Sequence, residues 1–286
     1  MIGLVLGSLI DCLAMRSLTK ESFWGRSYCD SCKTTLRWYD LFPIISYFLL
    51  RGRCRDCHKK ISLEAPLVEL ISGIVCALIV QTSLPVLGIP DISLLLGLVF
   101  KLYVFCILSI FILTDLKSGL IPDRISLPSI LVAAVFPLLI ALLQIWQIYS
   151  GLQGTQFGRL LLAPGEDYFF RHAVVTLTPL IYGYIATIGI GVFFGSLILF
   201  TRGRGMGGGD LKLGIFIGLA LGYPSSVMAI LLSFVLGSIA GVGLILFRKK
   251  KFGQTIPFGP FLSFGSIVAL LWGPQLIDWY FRLKIF

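Results

Sequence analysis

Two aspartates in apolar surroundings are the first candidates for chemistry in this sequence. Asp210 lies within the stretch Gly-Met-Gly-Gly-Gly-Asp-Leu-Lys, residues 205–212, at the mouth of an apolar segment. Asp115 follows a long apolar run and is itself followed by Leu-Lys-Ser-Gly-Leu-Ile-Pro-Asp, which ends at Asp123. An acidic residue at the edge of a membrane span is a candidate functional residue, because burying its charge is costly.

Two interpretations of Asp210 are open from the local sequence. Aspartate is a favoured N-cap, so Asp210 could simply cap a helix that begins near Leu211. The glycines before it would equally let a peptide backbone come close to the carboxylate. Capping cannot explain Asp115, which is expected in the last turn of its helix, where the helix dipole disfavours a negative charge. Two carboxylates at one membrane surface can share a proton, and this is the acid/base pair that an aspartyl protease needs.

The other residues of the sequence argue against the remaining protease classes. The sequence has no His-Glu-x-x-His, which argues against a zincin-type metalloprotease. Its two histidines lie in a cysteine-rich loop and at the outer end of an apolar segment, so a serine or cysteine nucleophile would lack a base. An aspartate pair remains, with candidate supporting residues at Gly207, Gly209, Lys212, Asp123 and Glu69. Helix entry is the structural alternative for Asp123, and a first-turn position favoured by the dipole is the alternative for Glu69.

Four of the seven cysteines form two Cys-x-x-Cys pairs in one polar loop. The pairs are Cys29 with Cys32 and Cys54 with Cys57, with 21 residues between them. Paired knuckles at about this spacing predict a tetrahedral structural zinc site, although the adjacent His58 could substitute as a ligand. Two disulfides, a redox role and idle thiols are the alternatives, and a reducing cytoplasmic location argues against disulfides. Because the loop is too small to bury much core, a metal ion would supply stability.

The elements that would position these residues are membrane-spanning helices. The chain has 286 residues, of which 57% are hydrophobic and 13% charged, and its mean hydropathy is +0.93. A span needs about 20 apolar residues, so we predict an all-α polytopic membrane protein with about eight transmembrane helices and a small cytoplasmic zinc-binding loop. The spans are placed near residues 1–15, 66–84, 92–114, 127–148, 173–200, 210–222, 224–247 and 256–276. The sixth is short and depends on a tight turn at Tyr223-Pro224, so about seven or nine spans are alternatives.

The distribution of positive charge predicts the orientation. Ten of the 24 Lys and Arg residues fall between Arg16 and Lys60, and residues 248–251 form a basic run of four. With eight spans these loops lie on one side, which the positive-inside rule identifies as the cytoplasm. Both chain ends are then outside, and the candidate aspartates are on the cytoplasmic side. The net charge of +10 therefore indicates contact with anionic lipid headgroups rather than with nucleic acid.

We divide the chain into three parts. Residues 1–15 are the first transmembrane helix, residues 16–65 the cytoplasmic zinc-knuckle loop, and residues 66–286 the aspartyl peptidase transmembrane domain. Between the knuckles, residues 36–50 are apolar but interrupted, which favours an interfacial helix with its aromatic rings at headgroup level. The Pro- and Gly-rich start of the last span, Ile256-Pro-Phe-Gly-Pro, is interpreted as structural packing.

Taken together, these motifs resemble the bacterial type 4 prepilin peptidases, polytopic aspartyl proteases of the inner membrane. The Gly-x-Gly-Asp element, Gly207 to Asp210, is shared with presenilin-like proteases and alone would not select the family. The full set is far more specific and runs through nearly the whole chain: Gly7-Ser8, both Cys-x-x-Cys pairs, Leu-Leu-Arg-Gly-Arg-Cys-Arg at 49–55, Pro-Leu-Val-Glu-Leu at 66–70, Asp115 with Ile-Pro-Asp123, Gly-Met-Gly-Gly-Gly-Asp-Leu-Lys at 205–212, and Ile-Pro-Phe-Gly-Pro at 256–260.

The resemblance implies that Asp115 and Asp210 are the catalytic pair. It implies that the substrates are type IV prepilins and pilin-like (pseudopilin) secretion subunits, whose short basic leader is cut at the cytoplasmic face just before an apolar helix. It also implies that the same enzyme N-methylates the new terminus with S-adenosylmethionine. The sequence departs from the family pattern at Asp11, where Asn is usual, and at Asp30, where proline is common. These departures bear on methylation more than on proteolysis.

Two functions from other classes are weighed against this interpretation. One is a membrane methyltransferase whose proteolysis is incidental, which would have a pocket for the methyl donor near Glu69 and the knuckles. The other is a zinc-stapled membrane scaffold or transporter, in which both aspartates would tolerate replacement by alanine.

Overall fold

The computed structural model describes residues 1–29, 31–84, 91–162, 167–203, 206–247 and 257–283. Asp30, Gly205, the basic run at 248–251 and Ile256 lie outside these ranges. Within them the chain is helical, and isolated β-bridges occur only in the cysteine-rich loop. The α-helices are α1 (Ile2–Thr19), α2 (Ile45–Leu49), α3 (Glu64–Ser83), α4 (Ile92–Ser118), α5 (Asp123–Gln153), α6 (Gln156–Leu161), α7 (Tyr168–Phe200), α8 (Gly208–Leu221), α9 (Ser225–Leu246) and α10 (Gly259–Leu283).

Seven of the described helices are long and apolar enough to cross a membrane, namely α1, α3, α4, α5, α7, α9 and α10. The all-α, multi-pass architecture is thereby confirmed. The predicted sixth span is present as α8, but it has only 14 residues. Its length is about 21 Å, which falls short of a hydrocarbon core of about 30 Å. After α8 the chain turns at Gly222, where φ is 65°, and passes through a cis Tyr223–Pro224 bond into α9.

Several helices extend further than hydropathy alone predicted. α1 continues to Thr19 and α4 continues to Ser118, and α5 begins at Asp123. Polar residues at these ends can lie outside the hydrocarbon and remain helical. Hydropathy therefore marks the apolar part of a helix, while its ends depend on the turn that follows.

The stretch between the knuckles, expected as one interfacial helix, forms two short pieces. A 3₁₀ helix covers Trp38–Leu41, and α2 covers Ile45–Leu49. Between them Ile44 has a φ of 62°, in the left-handed region, which an α-helix cannot continue through. The side chains of Trp38 and Phe48 are exposed, as expected for rings at headgroup level.

α4 is the central helix of the bundle and contacts α1, α3, α5 and α10. Its side chains Phe105, Leu108 and Phe111 are fully buried. The ring of Phe111 meets the ring of Phe216 in α8 edge-on, with 6.0 Å between the centroids. This contact lies one turn before Asp115 and less than two turns after Asp210, so the end of α4 and the start of α8 meet at one level.

The short helix α8 is fixed against α7 by close backbone packing. A Cβ at Gly214 would lie 2.7 Å from the ring of Phe194, and a Cβ at Gly218 would lie 2.6 Å from Oγ1 of Thr187. Helices in membranes commonly associate through such small residues. The first turn of α8 therefore has a defined height along α7, although α8 is shorter than a typical span.

Candidate active site

Asp115 lies in the last turn of α4, as expected. The residue is only 6% exposed. Gly119, with a φ of 64°, ends the helix by donating its N–H to the carbonyl of Asp115 at 2.8 Å. The backbone amide of Gly259 approaches the carboxylate, yet Oδ2 makes no hydrogen bond of normal geometry with any described residue. A buried carboxylate oxygen in this state marks a position for a proton, a water molecule or a substrate group.

Asp210 is the third residue of α8, and the N-cap is Gly207. No side-chain hydrogen bond caps this end of the helix. The capping interpretation of Asp210 is therefore wrong, because the helix begins three residues earlier than the sequence suggested. Its first-turn position does favour a negative charge through the helix dipole. The carboxylate lies close enough to Asp115 for the two charges to interact, so the fold brings together the pair that the sequence selected.

The two candidate glycines differ in their surroundings. A Cβ at Gly209 would lie 3.3 Å from Cβ of Ile121, in the connection between α4 and α5. Among the described residues, the nearest heavy atom to a Cβ at Gly207 is the amide nitrogen of Gly209 at 3.9 Å, and a Cβ at Gly208 would meet nothing within 4 Å. Packing thus accounts for Gly209, whereas the backbone beside Asp210 borders open space where a peptide can approach.

Lys212 and Asp123, both candidate supporting residues, are paired with each other. Lys212 Nζ lies 2.5 Å from Oδ1 of Asp123, and the side chains are 34% and 61% exposed. Asp123 is the first residue of α5, which Pro122 caps. This ion pair links the start of α5 to the first turn of α8, the turn that carries Asp210.

Glu69 lies in the contact between α1, α3 and the cysteine-rich loop. Its Oε2 accepts a hydrogen bond from the Ile44 N–H at 2.7 Å, and its side chain also faces Ser8. A Cβ at Gly7 would lie 2.5 Å from Cα of Glu69, so glycine is what lets α1 approach α3 here. Glu69 is the sixth residue of α3, and the first-turn position belongs to Glu64.

The four knuckle cysteines form a cluster. Their Sγ atoms all lie within 4.8 Å of one another, and the described part of the chain holds all seven cysteines as free thiols. Each pair sits in the same kind of turn: Lys33 donates to the Cys29 carbonyl and His58 donates to the Cys54 carbonyl, and both donors have positive φ. The histidine that could have replaced a ligand thus serves the turn through its backbone.

The cluster has the dimensions of a tetrahedral zinc site. Zn–S bonds of about 2.3 Å place ligand sulfurs about 3.8 Å apart in a tetrahedron, and Sγ of Cys29 and Sγ of Cys57 are 3.8 Å apart. Hydrogen bonding from Thr34 lowers the pKa of Cys32 to about 6, so this thiol is largely ionised at neutral pH. Thiolates are the ligands that zinc prefers. The residues present therefore fit the metal.

Sequence reasoning missed one residue of the site. The Ile-Pro-Phe-Gly-Pro stretch was interpreted as packing, but a Cβ at Gly259 would lie 2.5 Å from Oδ2 of Asp115. Gly259 therefore borders the candidate catalytic carboxylate directly. The available signal was the place of this motif at the start of a span, on the side that the sequence analysis predicted for both aspartates.

Two family models match separate parts of the chain. Residues 1–83, with all four knuckle cysteines, match the bacterial peptidase A24 N-terminal domain. Residues 102–242, with both aspartates, match the type IV leader peptidase family. The chain thus contains two family segments, and the aspartate pair falls within the second.

Curated relatives match over most of the chain. The chain is 31% identical over 255 residues to the prepilin leader peptidase/N-methyltransferase of Aeromonas salmonicida (strain A449), covering 89% of this chain and 74% of the relative. It is 32% identical over 289 residues to the protein of that name from Bacillus subtilis (strain 168), covering 99% of this chain and 96% of the relative. No solved structure gave a significant match.

Proposed function

This chain belongs to the type IV leader peptidase family, and we propose that it cleaves the leader from prepilins and pseudopilin precursors and N-methylates the new terminus. The observation that carries the peptidase assignment is the meeting of the end of α4, with Asp115, and the start of α8, with Asp210, at one level of the bundle. Both aspartates lie within the segment that matches the family. The names of the relatives support methylation as the second activity.

In the proposed mechanism the aspartates hold one proton between them. Mutual repulsion between neighbouring carboxylates disfavours ionisation of both, and the mechanism uses one protonated and one ionised aspartate. The ionised aspartate takes a proton from water as the water oxygen attacks the scissile carbonyl, and the protonated aspartate hydrogen-bonds the carbonyl oxygen. The resulting tetrahedral species then loses the amine of the mature pilin, which takes up a proton. No covalent enzyme intermediate forms.

The two aspartates are suited to different positions around the substrate. Asp115 is buried, with Oδ2 free of described hydrogen-bond partners. Asp210 lies beside the open backbone at Gly207 and Gly208. A peptide laid along that opening would place its carbonyl between the two carboxylates, and the apolar helix that follows the cut site could remain in the lipid.

The methyl donor we propose is S-adenosylmethionine, which supplies the methyl group transferred to the new terminal amine. The geometry does not assign residues to hold it. Glu69, the carboxylate favoured for that region, has its Oε2 occupied by the Ile44 amide. No step of the mechanism is therefore drawn through the donor.

We further propose that the knuckle loop holds one structural zinc ion through Cys29, Cys32, Cys54 and Cys57. When bound, zinc supplies a rigid cross-link between the two knuckles. Few apolar side chains in the described part of this short loop are buried, and Cys54, which is 4% exposed, is one of them. A metal cross-link is how such a loop can reach a stable fold.

The proposed location is the bacterial inner membrane, with the active site on the cytoplasmic side and with anionic lipids beside the basic loop. The domain division at residues 15 and 65 is retained as a proposal, with helix ends at Thr19 and Glu64. The excess of Lys and Arg on the loop side supports this orientation.

The test is leader cleavage by purified variants in lipid. Asp115→Asn and Asp210→Asn should each abolish cleavage, with expression and zinc content near wild type. The double variant should be no worse than either single one, because residues that act as a unit are non-additive. Asp123→Asn should do less harm. Substantial activity in either single variant would move the catalytic assignment elsewhere.

A further inference from the structure

Each candidate catalytic aspartate begins the same tripeptide, Asp-Leu-Lys, at residues 115–117 and 210–212. Both tripeptides lie at helix ends: the first closes α4, and the second opens α8 behind a run of glycines. Helix ends open with the least free energy in a fold, and glycine adds backbone freedom. Catalysis by a carboxylate pair nevertheless requires the oxygens to be held closely in place. The two helix ends therefore need a restraint.

The first lysine, Lys117, joins three helices. Its Nζ lies 2.7 Å from Oε1 of Glu64 at the start of α3 and 3.7 Å from Oδ1 of Asp11 in α1. It also lies 3.2 Å from Sδ of Met15. Lys117, two residues after Asp115, thereby attaches the last turn of α4 to α1 and α3.

The second lysine, Lys212, has the corresponding position after Asp210 and binds Asp123 at the start of α5. The first turn of α5 is itself held from its other side. Arg124 Nη1 donates to the carbonyl of Glu21 at 3.0 Å, and its guanidinium carbon lies 4.7 Å from the ring centroid of Phe23. The start of α8 is thus connected through α5 to the segment that follows α1.

The exposure of these pairs indicates what they do. The side chains of Lys212 and Asp123 are 34% and 61% exposed, and ion pairs this open contribute little to global stability. Their consequence is local, because each fixes the register and direction of one helical turn. Loss of such a contact should alter the rate of the chemical step before it alters folding.

We propose that Lys117 and Lys212 are positioning residues for the cleavage reaction, each fixing the aspartate two residues before it by binding a carboxylate on a neighbouring helix. The proposal rests on the proposed function, in which Asp115 and Asp210 are the catalytic pair. It differs from a structural role in one respect. A structural role lowers the amount of folded protein, whereas positioning lowers kcat in protein that is fully folded.

The experiment measures kcat and KM for leader cleavage by the full-length protein in lipid nanodiscs. Lys212→Met, and separately Asp123→Asn, should lower kcat about tenfold or more and leave KM within about twofold. The double variant should be no worse than the poorer single one, because both changes remove one contact. Lys212→Arg should restore most of the rate. For the ion pair between α3 and α4, Glu64→Gln and Lys117→Met should likewise lower kcat and leave KM nearly unchanged.

Hydrogen–deuterium exchange supplies a readout that does not depend on activity. Amides at residues 206–214 should exchange faster in Lys212→Met than in wild type, and those at residues 113–119 should exchange faster in Lys117→Met. Arg171→Met is the matched control, because it removes an exposed cation from the far end of α7. This variant should match wild type in both measurements.

The outcomes distinguish failure of the catalytic assignment from failure of the positioning proposal. Cleavage by Asp115→Asn or Asp210→Asn, measured alongside, would remove the catalytic assignment and the positioning proposal with it. Inactive aspartate variants together with wild-type kcat and exchange in the lysine variants would overturn the positioning proposal alone. Additive losses in Lys212→Met and Asp123→Asn would also overturn it, since the two residues would then act separately.

Discussion

Replacing Gly259 by alanine adds a single methyl group against the carboxylate of Asp115. The added Cβ would lie 2.5 Å from Oδ2, 3.1 Å from Cγ and 3.5 Å from Cβ of Asp115. Non-bonded heavy atoms prefer separations of about 3.5 Å or more, so the carboxylate or the start of α10 must move by about 1 Å. The neighbour here is a short, buried side chain, which cannot swing aside as the end of a long flexible one can.

A displacement of this size has a defined kinetic cost. Misplacement of a catalytic group by about 1 Å can lower the rate about 100-fold, which corresponds to about 2.7 kcal/mol in the activation free energy. Global stability should change much less, because Gly259 is the first residue of α10 and a helix end shifts at a lower free-energy cost than a helix interior. We therefore expect kcat for prepilin leader cleavage to fall about 100-fold in Gly259→Ala, with the thermal unfolding midpoint near that of wild type.

The chain offers a matched control for this substitution. Gly195 is a helical glycine in α7 whose added Cβ would meet nothing within 4 Å. Gly195→Ala should cleave at the wild-type rate. Near wild-type cleavage by Gly259→Ala would refute the reasoning, because Gly259 could not then border Asp115 in the active enzyme. Slow cleavage by the control variant would show that any added methyl group harms the assay.

Two further predictions concern the metal and the membrane orientation. Metal analysis of the purified protein should find about one equivalent of zinc per chain, lost when both knuckle pairs are changed from Cys to Ser; a metal-free wild type that is folded and active would contradict this. Reporter fusions at Lys59 and at Gly165, which lies outside the described residues, should report opposite sides of the membrane, because the loop rich in Lys and Arg is retained inside. Identical signals would require a different number of spans.

The parts of the fold that follow from local pattern could be predicted from the sequence. Apolar runs of sufficient length predicted the long helices, and two Cys-x-x-Cys pairs predicted a cluster whose sulfurs are within 4.8 Å of one another. The aspartate pair followed from the position of Asp115 at a helix end, where no capping role exists. Each of these inferences started from the local sequence around the residues concerned.

What the sequence did not predict depends on contacts between distant segments. Gly259 faces Asp115 because α10 packs on α4, and hydropathy contains no information on which helices are neighbours. Helix entry at Asp123 was anticipated, but its ion pair with Lys212 depends on the packing of α5 against α8, which the apolar pattern does not reveal. The capping interpretation of Asp210 failed for a related reason, since glycine at the N-cap left the helix start unmarked.

The glycines of α8 show why sequence pattern alone could not locate the opening beside the aspartates. Gly214 and Gly218 are required because Phe194 and Thr187 leave no room for a Cβ, and they hold the helix against α7. At the start of the same helix, a Cβ at Gly208 would meet no described residue within 4 Å. One residue type thus serves tight packing in one half of α8 and peptide access in the other. The packing of Gly214 and Gly218 against α7 fixes the position of Asp210 along that helix. The start of α8 can therefore stay open without displacing the carboxylate.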